Sequence, residues 1–173
     1  NRSNIKTEKY DALAVEMRRS DLPLTVELMM GLPGSTVASF REDLQQCIDR
    51  ELPARINMTT LLVNSPMNEP SYLETHKIKT SAPVGPGNLA MLASTSSYTE
   101  ADLMMMHDFR TAFMFFENYA VLRIISRFVR HETGVDEMGF YEKLLLDNAG
   151  HRAWPMLNVL CNFGSSLMAP PLS

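Results

Sequence analysis

The sequence predicts an α/β fold followed by a helical C-terminal extension, and three observations lead to this prediction. Two strand-like stretches near the amino terminus are separated by an amphipathic helix. A long segment rich in proline and glycine follows, and the last third of the chain shows helical spacing of its apolar residues. These observations divide the chain into residues 1–64, 65–98 and 99–173.

Helix and strand alternate in the first 64 residues. Apolar residues recur at helical spacing from Thr7 to Ser20, and Pro23 ends this predicted helix. The stretch "LTVELMM" alternates like a strand, a helix is predicted from Val37 to Arg50, and "ARINMTTLLVN" is the second predicted strand. Because a helix of this length separates the two strands, we expect them to be adjacent and parallel with a right-handed crossover.

The turn after the first strand, "GLPGST", is the most distinctive short motif. Gly31 and Gly34 allow backbone angles that other residues resist, and Ser35 or Thr36 can cap the helix that follows. Free N–H groups and the helix dipole make such a turn a candidate anion site. A P-loop needs a Lys directly before its Ser or Thr, and neither that Lys nor a G-x-G-x-x-G fingerprint is present. The turn alone indicates either a ligand contact or a tight connection without one.

The rest of the chain changes character twice. Four prolines and two glycines interrupt residues 65–97, where the only regular element predicted is a short helix around Ser71 to His76. This stretch is expected to be disordered, to cover part of the protein surface, or to act as a lid. Thr99 then begins a long helix that should bend near Asn118 and stop at Gly134. A further helix, capped by Asp136, is predicted through Leu146, and a short last one near Trp154.

The composition limits the classes of function that this chain could have. The 173 residues suit one domain or one piece of a larger one, and 45% are hydrophobic. A net charge of −4 gives no electrostatic reason to expect nucleic acid or a membrane surface as partner. The chain begins at Asn1 without a signal peptide, which suggests a start inside a longer parent. Cys47 and Cys161 fit no disulfide framework and no metal spacing, so a cytoplasmic location is expected.

The turn and its surroundings resemble a known enzyme family. The stretch "VELMMGLPGSTVASFREDL", followed by a strand ending "LLVNSPM", resembles the later barrel strands of radical S-adenosylmethionine enzymes. The resemblance is closest to the subgroup with a cobalamin-binding domain ahead of the barrel. It includes Glu27 four residues before the first Gly, Phe40 in the next helix, and the helical stretch "FENYAVLRIISRFVRHETG". It implies late βα units of a partial TIM-like barrel, followed by a helical C-terminal extension.

One departure from the family limits what the chain can do alone. These enzymes hold a 4Fe-4S cluster through C-x-x-x-C-x-x-C, and this chain has no such triplet. The resemblance therefore implies the C-terminal portion of an enzyme that uses S-adenosylmethionine, an iron–sulfur cluster and, in this subgroup, cobalamin. No cofactor is expected to bind tightly to the chain alone, which should be catalytically inert. The competing hypothesis is a non-enzymatic α/β interaction or structural domain. An upstream C-x-x-x-C-x-x-C in the same gene would support the enzyme instead.

The resemblance also assigns part of a cofactor wall to the carboxyl ends of the two strands, where barrels collect their ligands. Glu27 is expected in the polar lumen, with a salt-bridged structural role as its alternative. Asn64 has a strand-end cap as its alternative. No catalytic residue and no metal ligand is assigned. The matching wall positions are Glu27, Met30, Gly31, Leu32, Pro33, Leu62, Val63 and Asn64.

Partners are predicted from the helical part. The remainder of the parent enzyme and a small-molecule substrate are expected; nucleic acid and membrane are not. Three arginines lie along one predicted helix, either as a solvated face or as a docking surface for the parent: Arg123, Arg127 and Arg130. Large apolar residues after Thr99 predict an exposed patch that a homodimer covers, unless the C-terminal helices bury it among themselves. These are Leu103, Met106, Phe113, Phe116, Leu122, Ile125 and Phe128.

Overall fold

A computed structural model describes residues 7–82 and 89–150, with side chains from 11 to 82 and from 89 to 145. The predicted helix near Trp154 and the second cysteine, Cys161, lie outside the described residues. A 3₁₀ turn spans Pro66–Asn68, and a π-helical segment spans Phe113–Asn118. The other elements, in chain order, are α1 (Thr7–Arg19), β1 (Val26–Met30), α2 (Val37–Asp49), β2 (Ala54–Met58), β3 (Thr60–Leu61), α3 (Pro70–Thr75), β4 (Lys79–Thr80), β5 (Ala90–Ser94), α4 (Glu100–Ala112), α5 (Arg123–Thr133) and α6 (Glu137–Gly150).

Strands β1 and β2 are parallel neighbours, as predicted, and α2 connects them. Their register runs from Val26 opposite Ala54 to Met30 opposite Met58. The helix between them begins at a capping box, in which the Thr36 side chain accepts from the amide of the third helical residue. The predicted helix–strand–helix–strand order of this part of the chain is therefore confirmed.

The predicted length of the second strand was wrong. The stretch "ARINMTTLLVN" divides at Thr59, and only its first half pairs with β1. The Thr59 amide and hydroxyl both donate to the carbonyl of Met30, at 3.0 and 2.8 Å, while its own carbonyl accepts from Leu92 at 3.1 Å. Thr59 therefore ends the parallel pair, and the chain continues as β3 in a second sheet, of order β3–β5–β4, whose pairs are antiparallel.

Residues 65–97 hold more regular structure than predicted. The short predicted helix is present as α3, but β4 and β5 were not expected. Leu92 of β5 is 2% exposed, so this strand contributes to the interior. It pairs with β4, which lies just before it in the chain, and with β3, whose Thr60 is opposite Met91; the local proline and glycine pattern carries no sign of either strand.

The core lies on one side of the β1–β2 sheet. Side chains of Met30, Ala54 and Ile56 face inward, whereas Glu27 and Arg55 on the opposite face are exposed. Helices α2, α4 and α6 and the π-helical segment supply the rest of the hydrophobic core, including Phe40, Leu44, Phe109, Phe113, Phe116 and Tyr141. The fold is mixed α/β, with helices packed on one face of a two-stranded parallel sheet. Among the described residues, no helix combines the length and hydropathy needed to cross a bilayer.

The helical part follows the predicted boundaries closely. Thr99 and Asp102 form a capping box at the start of α4, and the bend predicted near Asn118 coincides with the end of the π-helical segment. Gly134 ends α5 in the left-handed conformation, with φ of 75°. The Asp136 carboxylate accepts from the Gly139 amide at the start of α6. This last helix continues to residue 150, four residues beyond the predicted end.

The predicted apolar patch is confined to α5. Met106, Phe113 and Phe116 are at most 1% exposed and form the core. Ile125 and Phe128 are 50% and 64% exposed. Of the residues predicted to form the patch, Met106, Phe113 and Phe116 are therefore buried, whereas Ile125 and Phe128 of α5 remain on the surface.

A fully solvated arginine face on α5 was the wrong interpretation. Arg127 lies 2.8 Å from Glu117 and 2.9 Å from Glu137, and Arg130 lies 2.9 Å from Glu137. Glu137 is completely buried and Glu117 nearly so. A buried carboxylate requires a partner, and these guanidinium groups supply it. The arginines of α5 are thus partly solvated, with side chains 36–46% exposed, and at the same time pair with buried carboxylates.

Candidate functional site

The turn at the carboxyl end of β1 is held by a residue far along the chain. Gly31 adopts a φ of +81°, and its buried carbonyl accepts a 2.7 Å hydrogen bond from the Tyr98 hydroxyl. A Cβ at Gly31 would lie 3.2 Å from both the Tyr98 oxygen and Leu103 Cδ1. Backbone angle and close packing both favour glycine here. Burial raises the pKa of Tyr98 to about 12, so its hydroxyl keeps its proton and remains a donor.

The amide groups of the turn are already used within the chain. Gly34 donates to the Ser97 hydroxyl at 3.0 Å, Ser35 to the Leu32 carbonyl at 2.9 Å, and Thr36 to the Ser39 hydroxyl at 2.9 Å. An anion site at a helix N-terminus needs such amides to be free. These three amides therefore do not form a phosphate cradle, and any ligand contact here must use other groups.

The uncovered face of the β1–β2 sheet offers those groups. Glu27 is the register partner of Arg55, and Met29 is the register partner of Asn57. All four residues are exposed, and Met29 is 43% exposed. Glu27 forms no ion pair with another described side chain. This face carries one carboxylate, one guanidinium, one amide and one thioether side by side.

The first group of predicted wall residues lies at the end of β1 and in the turn that follows it. Met30 is 1% exposed, so its side chain belongs to the core and only its backbone is near the turn. Leu32 is 37% exposed and Pro33 is half-buried. Of this group, Leu32 presents the most accessible side chain, close in sequence to the exposed Glu27 on the strand.

The second predicted group is farther from the sheet than expected. Leu62 and Val63 are 52% and 77% exposed, and Asn64 is exposed as well. They follow β3, so the break at Thr59 separates them from the parallel pair. The carbonyls of Leu62 and Val63 accept within their own turn, from the amide of Ser65 and the side chain of Asn68. Ser65, not Asn64, caps the 3₁₀ turn that follows.

Sequence reasoning missed the three residues that fix the turn, which are Thr59, Ser97 and Tyr98. Ser97 and Tyr98 precede the helix cap at Thr99, and Thr59 sits in the middle of a predicted strand. Each acts through a hydrogen bond to a residue at least 29 positions away. Local periodicity carries no signal for such contacts.

A cavity of about 750 Å³ lies at the other end of the sheet. It is bounded by the end of α2, the start of β2, the π-helical segment and the start of α5, and Cys47, Ala54 and Ile124 are among its lining residues. Burial, with a smaller contribution from Asp43, raises the pKa of the Cys47 thiol to about 11. The thiol is therefore protonated at neutral pH and is a poor nucleophile or metal ligand.

The described residues do not fit an iron–sulfur cluster. No group of three or more His, Cys, Asp and Glu side chains is arranged to hold a metal in residues 7–82 and 89–150. The one cysteine described, Cys47, is buried on α2. A cluster of the family's type needs three thiolates, so its ligands would have to come from elsewhere.

Two curated proteins are similar to this chain; each alignment is 156 positions long and covers 83% of the chain. The cobalamin-dependent radical SAM methyltransferase TokK of Streptomyces tokunonensis is 26% identical. The 2-(S-pantetheinyl)-carbapenam-3-carboxylate methyltransferase of Streptantibioticus cattleyicolor is 24% identical. The match covers 23% of each relative, so this chain spans less than a quarter of their length. No protein-family profile matches the chain.

Proposed function

We propose that this chain forms the late βα part of the barrel, and the helical C-terminal extension, of a cobalamin-dependent radical S-adenosylmethionine enzyme. The observation that carries the proposal is the one-sided β1–β2 sheet. Helices cover one face, as they cover the outside of a TIM-like barrel, and among the described residues the opposite face, which would line the lumen, is exposed and partly polar. The similarity to TokK, which is named as a cobalamin-dependent radical SAM methyltransferase, supports the same assignment.

The bare face and the Gly-Leu-Pro-Gly turn have the chemistry of one wall of a cofactor site. S-adenosylmethionine presents an ammonium and a carboxylate at one end and an adenine at the other. Glu27 offers a carboxylate to the ammonium, and Arg55 offers a guanidinium to the carboxylate. Met29 and Leu32 offer exposed apolar contact area. The exposed turn of Leu62, Val63 and Asn64 extends this wall in the proposal.

The remaining parts of the reaction must come from outside the described residues. The iron–sulfur cluster supplies the electron that cleaves S-adenosylmethionine, and its three thiolate ligands are absent from this chain. Since both relatives are named as methyltransferases, we propose methyl transfer as the reaction of the complete enzyme. This chain would then position S-adenosylmethionine and exclude water from one side of it, without performing the electron transfer.

Anaerobic reconstitution with iron and sulfide tests the proposal on two proteins. The longer polypeptide encoded by the gene should bind a four-iron cluster and release 5′-deoxyadenosine from S-adenosylmethionine. The 173-residue chain should remain colourless and bind S-adenosylmethionine weakly or not at all. A stoichiometric cluster on the chain alone would contradict the proposal. A gene that encodes no cysteine triplet upstream of this sequence would contradict it as well, and would favour a non-enzymatic domain.

A further inference from the structure

The two edges of the β1–β2 sheet use their main-chain groups differently. In a parallel pair, every second residue of a strand directs its N–H and C=O groups to the neighbouring strand, and the residues between them direct theirs outward. At the two ends of β2, the carbonyl of Pro53 and the amide of Thr59 bond to β1. The odd-numbered residues of β2 therefore face β1, and the carbonyls of Ala54 and Ile56 point to the outer edge.

Two side chains from the helical part reach both of these outward carbonyls. Asn118 donates from Nδ2 to the Ala54 carbonyl at 2.7 Å, and Arg110 donates from Nε to the Ile56 carbonyl at 3.0 Å. Along the helical stretch formed by α4 and the π-helical segment, the donor number rises from 110 to 118 while the acceptor number falls from 56 to 54. This stretch therefore runs antiparallel to β2, along its outer edge.

The outer edge of β2 thus differs from an ordinary sheet edge, which presents a row of unpaired N–H and C=O groups that can pair with a strand of another chain. On β1 the outward groups belong to Glu27 and Met29, and no other group in residues 7–82 and 89–150 bonds to them. On β2 the two carbonyls that a further strand would need already accept from side chains of the same chain. One edge of the sheet is open among the described residues, and the other is closed.

The charge of Arg110 is costly where it lies. The side chain is half-buried, and burial lowers the pKa of Arg110 with no carboxylate to offset this effect. An apolar side chain of similar length would avoid the cost of burying a charge, but it would leave the Ile56 carbonyl without this partner. The hydrogen bond to the strand edge is therefore the contribution that a guanidinium group makes at this position.

We propose that Arg110 and Asn118 close the outer edge of β2 against strand addition, and that the strand they exclude is β2 of a second copy of the chain. The edge is self-complementary, because two antiparallel copies centred on Ile56 would place each Ala54 opposite Met58 of the other copy. Each outward carbonyl would then accept from an amide of the other copy instead of from a side chain. The inference is independent of the catalytic assignment, since it concerns only the edge of the sheet.

The double substitution Arg110→Leu with Asn118→Leu tests the proposal in the 173-residue chain. It removes both donors and retains apolar bulk on the helical stretch, so the two carbonyls can gain partners only from water or from another copy. Sedimentation velocity over a range of concentrations should show self-association at least about tenfold tighter than that of the unsubstituted chain. The far-ultraviolet circular dichroism spectrum at low concentration should be unchanged, and the infrared spectrum at high concentration should gain an intermolecular β-sheet band.

Two further variants locate the new contact. Arg19→Leu with Asn64→Leu is the matched control, because it makes the same two changes at exposed positions, and it should associate as the unsubstituted chain does. Adding Asn57→Arg to the double variant should reverse the gain. The new guanidinium would lie opposite Arg55 of the other copy, and like charges directly opposite each other destabilise paired strands.

Three results would overturn the proposal. Equal association of the folded double variant and the unsubstituted chain would show that the two side chains do not close the edge. A similar gain in the matched control would assign the association to the added leucines and not to the strand edge. A gain that survives Asn57→Arg would place the contact on another surface. If the double variant unfolds, Arg110→Met replaces it with the same expected outcomes, because this change keeps a long side chain and removes its donors.

Discussion

The hydroxyl of Tyr98 donates a 2.7 Å hydrogen bond to the carbonyl oxygen of Gly31, 67 residues earlier in the chain. Tyr98 follows the small antiparallel sheet and immediately precedes α4, while Gly31 opens the turn after β1. This one bond therefore ties the long connection between β3 and α4 to the carboxyl end of the parallel sheet. Both residues are buried, so the shape of the proposed cofactor wall depends on an interaction that water cannot replace.

The Tyr98→Phe substitution should measure this dependence. It removes the donor and leaves the buried Gly31 carbonyl unpaired, which costs about 1–3 kcal/mol of unfolding free energy. Urea denaturation of the purified chain gives the value. Tyr119→Phe is the control, since Tyr119 is 58% exposed, and its stability should match that of the wild type. Equal stability of all three proteins would mean that the Gly31 carbonyl is satisfied in another way.

The two glycines of the turn should differ in their tolerance of alanine. Both have positive φ, so each alanine is strained by about 1–2 kcal/mol. At Gly31 the added Cβ also meets Tyr98 and Leu103 at 3.2 Å, whereas at Gly34 it meets nothing within 4 Å. We expect Gly31→Ala to lower the thermal midpoint more than Gly34→Ala does. The reverse order in a differential scanning calorimetry comparison would contradict the packing around Gly31.

Glu137 should be the most sensitive carboxylate on the helical side. It is completely buried and contacts both Arg127 and Arg130 at 2.9 Å. Glu137→Gln removes the negative charge between two guanidinium groups, and should cost about 1–3 kcal/mol in urea unfolding. Glu132→Gln is the control, because Glu132 is 53% exposed beside His131 and its pair should contribute little. Similar stability of the two variants would show that the inward arginines do not depend on Glu137.

Lowering the pH should destabilise the chain, in part because the Asp49 carboxylate becomes protonated. Burial acts to raise the pKa of Asp49, but hydrogen bonds from Arg130, at 2.6 Å, and from Gln45 outweigh it and hold this pKa below its usual value. A carboxyl with a lowered folded-state pKa contributes stability above its unfolded pKa, about 4, and loses it as pH falls through the folded value. We expect Asp49→Asn to flatten the decline of stability below about pH 4. Parallel pH profiles for variant and wild type would exclude this contribution.

Much of the local architecture could be predicted from the sequence. Periodicity and capping residues indicated α1, β1, α2 and the helix starts at Thr36 and Thr99, because these elements depend on neighbours within a few positions. Strand β5 and the end of the parallel pair at Thr59 could not be predicted, because both depend on partners about 30 residues away. The inward arginines of α5 were missed for a related reason, since their buried partner Glu137 belongs to the next helix.

For the candidate site too, the features that depend on local sequence could be predicted and those that depend on tertiary packing could not. Glycines that need positive φ could be identified from the turn motif, and the alternation along β1 placed Glu27 on the face opposite the core. Met30 was expected to contribute to the wall, but its side chain is in the core. Its location depends on which face the helices cover, and a strand pattern alone does not contain that information.

The affinity of the complete enzyme for S-adenosylmethionine tests the central claim most directly. Leu32→Asp places a charge at the exposed apolar position of the proposed wall, and Leu13→Asp places the same charge on α1, where Leu13 is 45% exposed. Equilibrium dialysis with the reconstituted enzyme should show at least about a tenfold loss of affinity for Leu32→Asp, which corresponds to about 1.4 kcal/mol. Leu13→Asp should bind as the wild type does, and the iron content of all three proteins should be equal. Unchanged affinity of Leu32→Asp, or an equal loss in both variants, would contradict the assignment of this turn to the cofactor wall.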